Sequence, residues 1–182
     1  KDDEESVRWT LKAAEQDHVD AQQNLGIAYL TGIGVARDLL KAASWFQKAA
    51  HNGKADSQNN LGIMYCEGKG VEKDFKEAAK WYRKAAKQGH ADAQSNLGLT
   101  YDKGDGVEVD YEEAVKWYRK AAEQGHAYGQ HLLGTKYAHG QGVEQDFKEA
   151  VRWWHKAAEQ GLAGTYYNLG VVYNQGHGVE QD

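Results

Sequence analysis

Proline is absent from the 182 residues, and cysteine occurs once, as Cys66. A single cysteine forms no internal disulfide, so nothing marks an oxidising compartment, and periplasm, secretion and cytoplasm all stay open. A lone helical cysteine reads as an inert small hydrophobe before a reactive thiol. Basic excess is missing as well. The 22 Lys and Arg against 27 Asp and Glu leave a formal charge of −5, without the basic stripe that a nucleic acid requires. No apolar run approaches the roughly 18–20 residues that cross a bilayer, which argues against membrane insertion. No signal peptide is visible, but Lys1 already lies inside a repeat, so the chain reads as a fragment whose missing start could carry a targeting segment.

Motifs of chemistry are also lacking. There is no G-x-S-x-G and no H-E-x-x-H, which leaves no catalytic candidate. The recurrent G-x-G pairs lack the third glycine and preceding strand of a dinucleotide fingerprint and read as structural turns. His131 and His139 stand eight apart on one helix, roughly 12 Å of rise, too far to share an ion. His90 and His126 share one repeat position just after a helix-ending glycine. No metal site and no cofactor is expected.

What is present is a period. Leu25, Leu61, Leu97, Leu133 and Leu169 recur every 36 residues, as do Trp9, Trp45, Trp81, Trp117 and Trp153. A fixed period of this length is the signature of a solenoid whose units bury apolar surface only against their neighbours. All glycines but Gly129 and Gly164 fall on four repeat positions, so they punctuate the chain. The spacing predicts ten helices: 2–16, 19–31, 39–52, 55–67, 75–88, 91–103, 111–124, 127–139, 147–160 and 163–175. The units run 1–17 (partial), 18–53, 54–89, 90–125, 126–161 and 162–182 (partial), within one domain. The tryptophans are expected to form five layers between units, each large aromatic contributing roughly 2–3 kcal/mol on burial. Asp2, Asp38, Asp74, Asp110 and Asp146 are expected as N-caps. Asp2–Glu5, Asp74–Glu77, Asp110–Glu113 and Asp146–Glu149 have the spacing of a capping box.

In the third unit Ala93, Leu97, Gly98, Tyr101, Gly104, Gly106, Val107, Asp110, Ala114, Trp117, Ala121, Ala122 and Gly125 carry a pattern that resembles the Sel-1-like repeat, a relative of the tetratricopeptide repeat. The match runs through the whole chain. The resemblance implies an all-α fold, a right-handed superhelical α-solenoid of antiparallel helix pairs, used as an adaptor or scaffold for protein complexes and widespread in bacteria. A cysteine-rich branch of that family pairs two cysteines in each repeat and includes members described as penicillin-binding or β-lactamase-like. With Cys66 alone, this chain departs from that branch.

Two series of first-helix residues are candidates for binding. Asn24, Asn60, Asn96 and Asn168 could form an amide ladder that grips an extended peptide, or could each satisfy an interhelix loop. Their recurrence favours the loop. The other series varies from unit to unit at fixed geometry: Gln23, Ile27, Leu30 and Thr31; Asn59, Ile63 and Glu67; Ser95, Leu99, Asp102 and Lys103; His131, Thr135 and His139; Tyr167, Val171 and Asn174. By the resemblance these line a concave groove that holds a peptide or partner protein, aliphatic toward the N-terminus and more polar and aromatic toward the C-terminus. A non-enzymatic interaction scaffold is therefore expected. The alternative is a cell-wall-ligand binder or β-lactamase-like hydrolase, as in the cysteine-rich relatives. End-to-end self-association is also expected, because the last helix should leave part of the Leu169 and Tyr173 stripe bare.

Overall fold

Caps and glycines stop every helix at nearly the same length. The computed structural model describes residues 2–176, with ten α-helices and, among the described residues, no strand. They are α1 (Asp2–Ala14), α2 (Val19–Thr31), α3 (Leu39–His51), α4 (Ala55–Glu67), α5 (Phe75–Lys87), α6 (Ala91–Lys103), α7 (Tyr111–Glu123), α8 (Ala127–His139), α9 (Phe147–Glu159) and α10 (Ala163–Asn174). The chain falls into two compact units, one ending at His90 and the other beginning at Ala91.

The first helix of each pair keeps the expected bounds to within a residue. The second helices end earlier, because the amides of Gln88, Gln124 and Gln160 bond the carbonyls of Ala85, Ala121 and Ala157, three residues back, and tighten the last turn. Asp38, Asp74, Asp110 and Asp146 cap as expected, each accepting from an amide two or three residues on. The capping box is only half realised. The amides of these four aspartates donate to the carbonyls of Tyr29, Tyr65, Tyr101 and Tyr137 at 2.9–3.0 Å, while Glu77, Glu113 and Glu149 turn outward to Lys80, Lys116 and Arg152. Asp2 lies inside the first turn of α1 rather than ahead of it.

In the first unit, Phe46 and Tyr82 lie against Gly26 and Gly62. A Cβ at either glycine would stand 2.6 Å from the ring, so the contact excludes any larger residue. Trp45 packs with Ala14, Ala21 and Leu25, and Trp81 with Ala50 and Leu61. In the second unit, Tyr118 and Trp154 occupy the same sockets at Gly98 and Gly134, and Trp153 packs with Tyr118, Ala122 and Leu133. The loop glycines Gly70 and Gly142 have φ of +70° and +71°, and a Cβ at either would meet the carbonyl oxygen of Leu39 or Tyr111 within 2.1 Å. Positive φ and close approach together demand glycine there.

The tryptophan layer needs one correction. Trp81, Trp117 and Trp153 are buried and Trp45 is half-buried, but Trp9 is 59% exposed. Each ring carries a lysine three residues on, from Lys12 over Trp9 to Lys156 over Trp153, at 3.9–4.4 Å from its centroid.

A second series of buried groups ties successive pairs together. Gln22, Gln58, Gln94 and Gln130 are at most 4% exposed. Their Oε1 atoms accept from the side-chain amides of Asn52, Gln88, Gln124 and Gln160 at 2.7–3.3 Å. The Nε2 groups of Gln22, Gln58 and Gln130 donate to the carbonyls of Ala14, Ala50 and Ala122, near the ends of the preceding second helices. In α10 the corresponding residue is Tyr166, whose hydroxyl donates to the Ala158 carbonyl at 2.7 Å.

Candidate functional site

In each unit the first helices carry the variable series at fixed helix positions, but the residues differ in what they can offer. Ile27, Thr31 and Glu67 are exposed in the first unit, and Lys103, His139, Tyr167, Val171 and Asn174 in the second. Gln23, Ile63 and Thr135 are half-buried. Leu30 and Leu99 lean on the core, the first beside Met64 and Phe46, the second beside Tyr118.

Three members are withdrawn from any partner. Ser95 is 1% exposed and bonds His126 Nδ1 at 2.9 Å, and Asn59 is 6% exposed. The variable position is turned inward in these two helices, which the one-dimensional spacing does not reveal. Asp102 is half-buried and engaged from two sides: Lys136 Nζ forms an ion pair with it, and the Tyr118 hydroxyl donates to it at 3.3 Å. Lys136, itself 5% exposed, also donates to Gln141 Oε1 at 2.9 Å and lies over the Tyr111 ring. Burial, with the Asp102 carboxylate beside it, drives the Tyr118 pKa far above its ordinary value.

His131 is held by neighbours as well. Its Nδ1 lies 3.0 Å from the Thr165 hydroxyl, and the Tyr128 ring stacks parallel to it at 6.3 Å. Burial lowers its pKa from the ordinary 6.5, favouring the neutral ring.

The asparagine series stays near the surface, with Asn24 exposed and Asn60, Asn96 and Asn168 half-buried. The amides that bridge successive pairs are the glutamines two positions earlier. Their recurrence at 22, 58, 94 and 130 was the signal for them. The final stripe is bare in part, as expected: Tyr173 is exposed and bonds His155 at 2.7 Å, while Leu169 is buried within the α8–α9–α10 core.

Two clefts bring candidate residues together. In the first unit Asn24, Ile27 and Thr31 of α2 face Ser6, Val7 and Thr10 of α1 across about 280 Å³. In the second, Thr135 and His139 of α8 meet Tyr167, Asn168 and Val171 of α10 over Phe147 and Trp154 of α9, around about 400 Å³.

One cluster has the outline of a hydrolytic triad. His126 Nε2 lies 2.9 Å from Asp92, and Ser95 Oγ lies 2.9 Å from Nδ1. The Gly129 amide, however, donates to the same Nδ1 at 3.1 Å, so this nitrogen is the helix cap's acceptor and the proton sits on Nε2, facing Asp92. Ser95 is also closed to any substrate. The group clamps two repeats, as His90 with Asp56 and Lys54 with Asp20 do in the first unit. Among the described residues no His, Cys, Asp and Glu group could hold a metal, and no helix is long and apolar enough to cross a membrane.

The Sel1 repeat profile matches residues 1–18, 19–54, 55–90, 91–126, 127–162 and 164–182. No curated protein gives a significant match. A protective antigen of uropathogenic Escherichia coli strains, displaying an SLR fold, is 42% identical with a TM-score of 0.92 over 96% of this chain. The chain spans 37% of that protein's length. A Sel1 repeat protein from Oxalobacter formigenes is 37% identical, with a TM-score of 0.90, over 98% of this chain and 72% of its own. Cysteine-rich protein B of Helicobacter pylori is 25% identical, with a TM-score of 0.58, over 73% of this chain and 96% of its own. Sel1 repeat proteins are in general protein-interaction scaffolds, typically without enzymatic activity. The helix pairs, their glycine sockets and the six repeat matches place this α-solenoid chain in the Sel1 repeat family.

Proposed function

We propose that the chain is a non-enzymatic scaffold that binds a peptide segment or partner protein along its first-helix faces. The observation that carries this reading is the exposure of Ile27 (39%) and Val171 (37%), aliphatic side chains at one repeat position, with Tyr167 (74%) one helical turn before Val171. Apolar residues grouped around a cleft mark interaction surfaces, whereas those scattered singly do not. The surface offered is Gln23, Ile27, Thr31, Ile63 and Glu67 in the first unit, and Lys103, Thr135, His139, Tyr167, Val171 and Asn174 in the second. Leu30 and Leu99 support it from beneath. The hydrolase alternative draws no support from Ser95, His126 and Asp92, whose hydroxyl is buried and whose imidazole already serves as a helix cap.

A pull-down followed by titration tests the reading. Ile27→Glu and Val171→Glu should each weaken a captured partner about tenfold or more, because a carboxylate is desolvated against apolar contact. Lys80→Gln and Lys116→Gln, exposed on second helices, should leave affinity within about twofold. Loss of binding in the lysine variants alone, with all four proteins folded, would refute the assignment.

A further inference from the structure

The 400 Å³ cleft of the second unit arises from residue choice inside the repeat. Each first helix contributes a side chain to one interior layer, and the next first helix contributes another 34 residues on. In the first unit this layer is Leu30 with Met64, packed on Phe46. In the second it is Asp102 with Lys136, bonded to Tyr118. The next copy of the layer is Ala138 with Val172 beside Trp154. Alanine and valine carry half the side-chain heavy atoms of leucine and methionine, and Trp154, larger than Phe46, takes back most but not all of that difference. The space they leave opens between Trp154, Phe147 and Tyr167, with no Asp, Glu, Lys or Arg on its walls. The Trp154 indole N–H is already donated to the His131 carbonyl at 3.2 Å, so the ring presents only apolar surface to the opening. The hydroxyl of Thr135 is likewise occupied, by the His131 carbonyl. Asn168 and Gln175 supply amides at the edge.

We infer that this cleft is an anchor pocket for one uncharged aromatic side chain, tryptophan or tyrosine, of the partner peptide. The inference rests on the scaffold reading above and gives its second-unit face a specificity. Three aromatic walls favour edge-to-face contact with a fourth ring. The amides at the edge suit the single polar atom of an indole or phenol. With no Asp, Glu, Lys or Arg lining it and one histidine, His139, on its walls, the cleft offers lysine, arginine and the acids no fixed counter-charge against their desolvation.

The probe is N-acetyl-tryptophanamide, compared with N-acetyl-leucinamide and N-acetyl-argininamide by saturation-transfer NMR and by the indole cross-peaks of the labelled protein. Binding on the order of 1 mM is expected for a group of this size, with the Trp154 cross-peak moving while those of Trp45 and Trp81 stay fixed. The double variant Ala138→Leu, Val172→Met imports the first unit's filling and should weaken the tryptophan probe at least tenfold. Should that variant misfold by circular dichroism, Tyr167→Ala, which removes an exposed wall, must give the same loss. Equal binding of the probe to the filled or wall-less protein, or preference for the arginine probe, overturns the pocket. Failure of the scaffold reading shows separately, since Ile27→Glu in the first unit leaves this pocket untouched. A partner sensitive to Ile27→Glu and indifferent to the filled variant keeps the scaffold and removes the pocket.

Discussion

Asp102 with Lys136 and Ala138 with Val172 occupy the same place in successive copies of one repeat, yet one is packed with charge and the other is apolar and borders an open cleft. The aromatic beneath changes in step. Phe46 underlies Leu30 and Met64, Tyr118 donates to Asp102, and Trp154 finds its acceptor in a backbone carbonyl. The backbone sets where a layer falls, and three side chains then decide together whether it is apolar, ionic or open. Repetition therefore conserves the container and leaves its contents free to vary.

The sharpest break in this comparison is Lys136→Ala, which strands a half-buried carboxylate and should cost about 3–5 kcal/mol in urea melts. The triple change Asp102→Leu, Tyr118→Phe, Lys136→Met converts the layer to the composition of the first unit. It should be neutral or stabilising by about 1–4 kcal/mol, because both charges and the phenol are removed together and only the half-buried Gln141 loses a partner. A triple variant as unstable as Lys136→Ala would show that the three residues are not a self-contained set. Filling the open layer with Ala138→Leu and Val172→Met should raise stability by about 0.5–2 kcal/mol, as cavity-filling changes do. A loss of that size would mean the space is already needed by its neighbours.

The smallest effect is a pH dependence. His131 has its pKa lowered by burial, so below its ordinary 6.5 the unfolded chain binds a proton that the folded chain resists. Stability then rises with pH across this window and falls on acidification from about 6.5 until the folded-state pKa is passed. The groups facing His131 are Thr165, Tyr128 and Trp154, none of which titrates in that range. Comparing melts at pH 7.5 and 5.5, His131→Asn should show a smaller loss than the unaltered protein. An identical loss would place the proton uptake elsewhere.

Helix positions and caps were legible in the sequence because each is a local or strictly periodic constraint, whereas the glycine sockets were legible only as a recurring position. The aspartate caps and the first-helix ends follow from two or three adjacent residues. The candidate surface was legible only as a register. Whether Ser95 turns to His126, or Asp102 to Lys136, depends on a partner 31 or 34 residues away and on the volume between them. The same limit hid the empty layer, since Ala138 and Val172 read as ordinary core until set beside Leu30 and Met64. The glutamine bridges were visible all along as a 36-residue series, but polarity on a helix face suggests solvent before it suggests a buried strut.

Those struts bear on how such a chain is inherited. Gln58 takes its carbonyl from Ala50 behind it and its amide from Gln88 ahead, and Gln130 does the same with Ala122 and Gln160. Both partners lie at fixed offsets within one period. A copying event that adds or drops a whole 36-residue block therefore hands every interior glutamine an equivalent carbonyl and an equivalent amide. A gain or loss of one residue between a glutamine and either partner changes the offset that bond depends on. The length of the chain is free to drift across generations in steps of one repeat, while the repeat itself is held to its size.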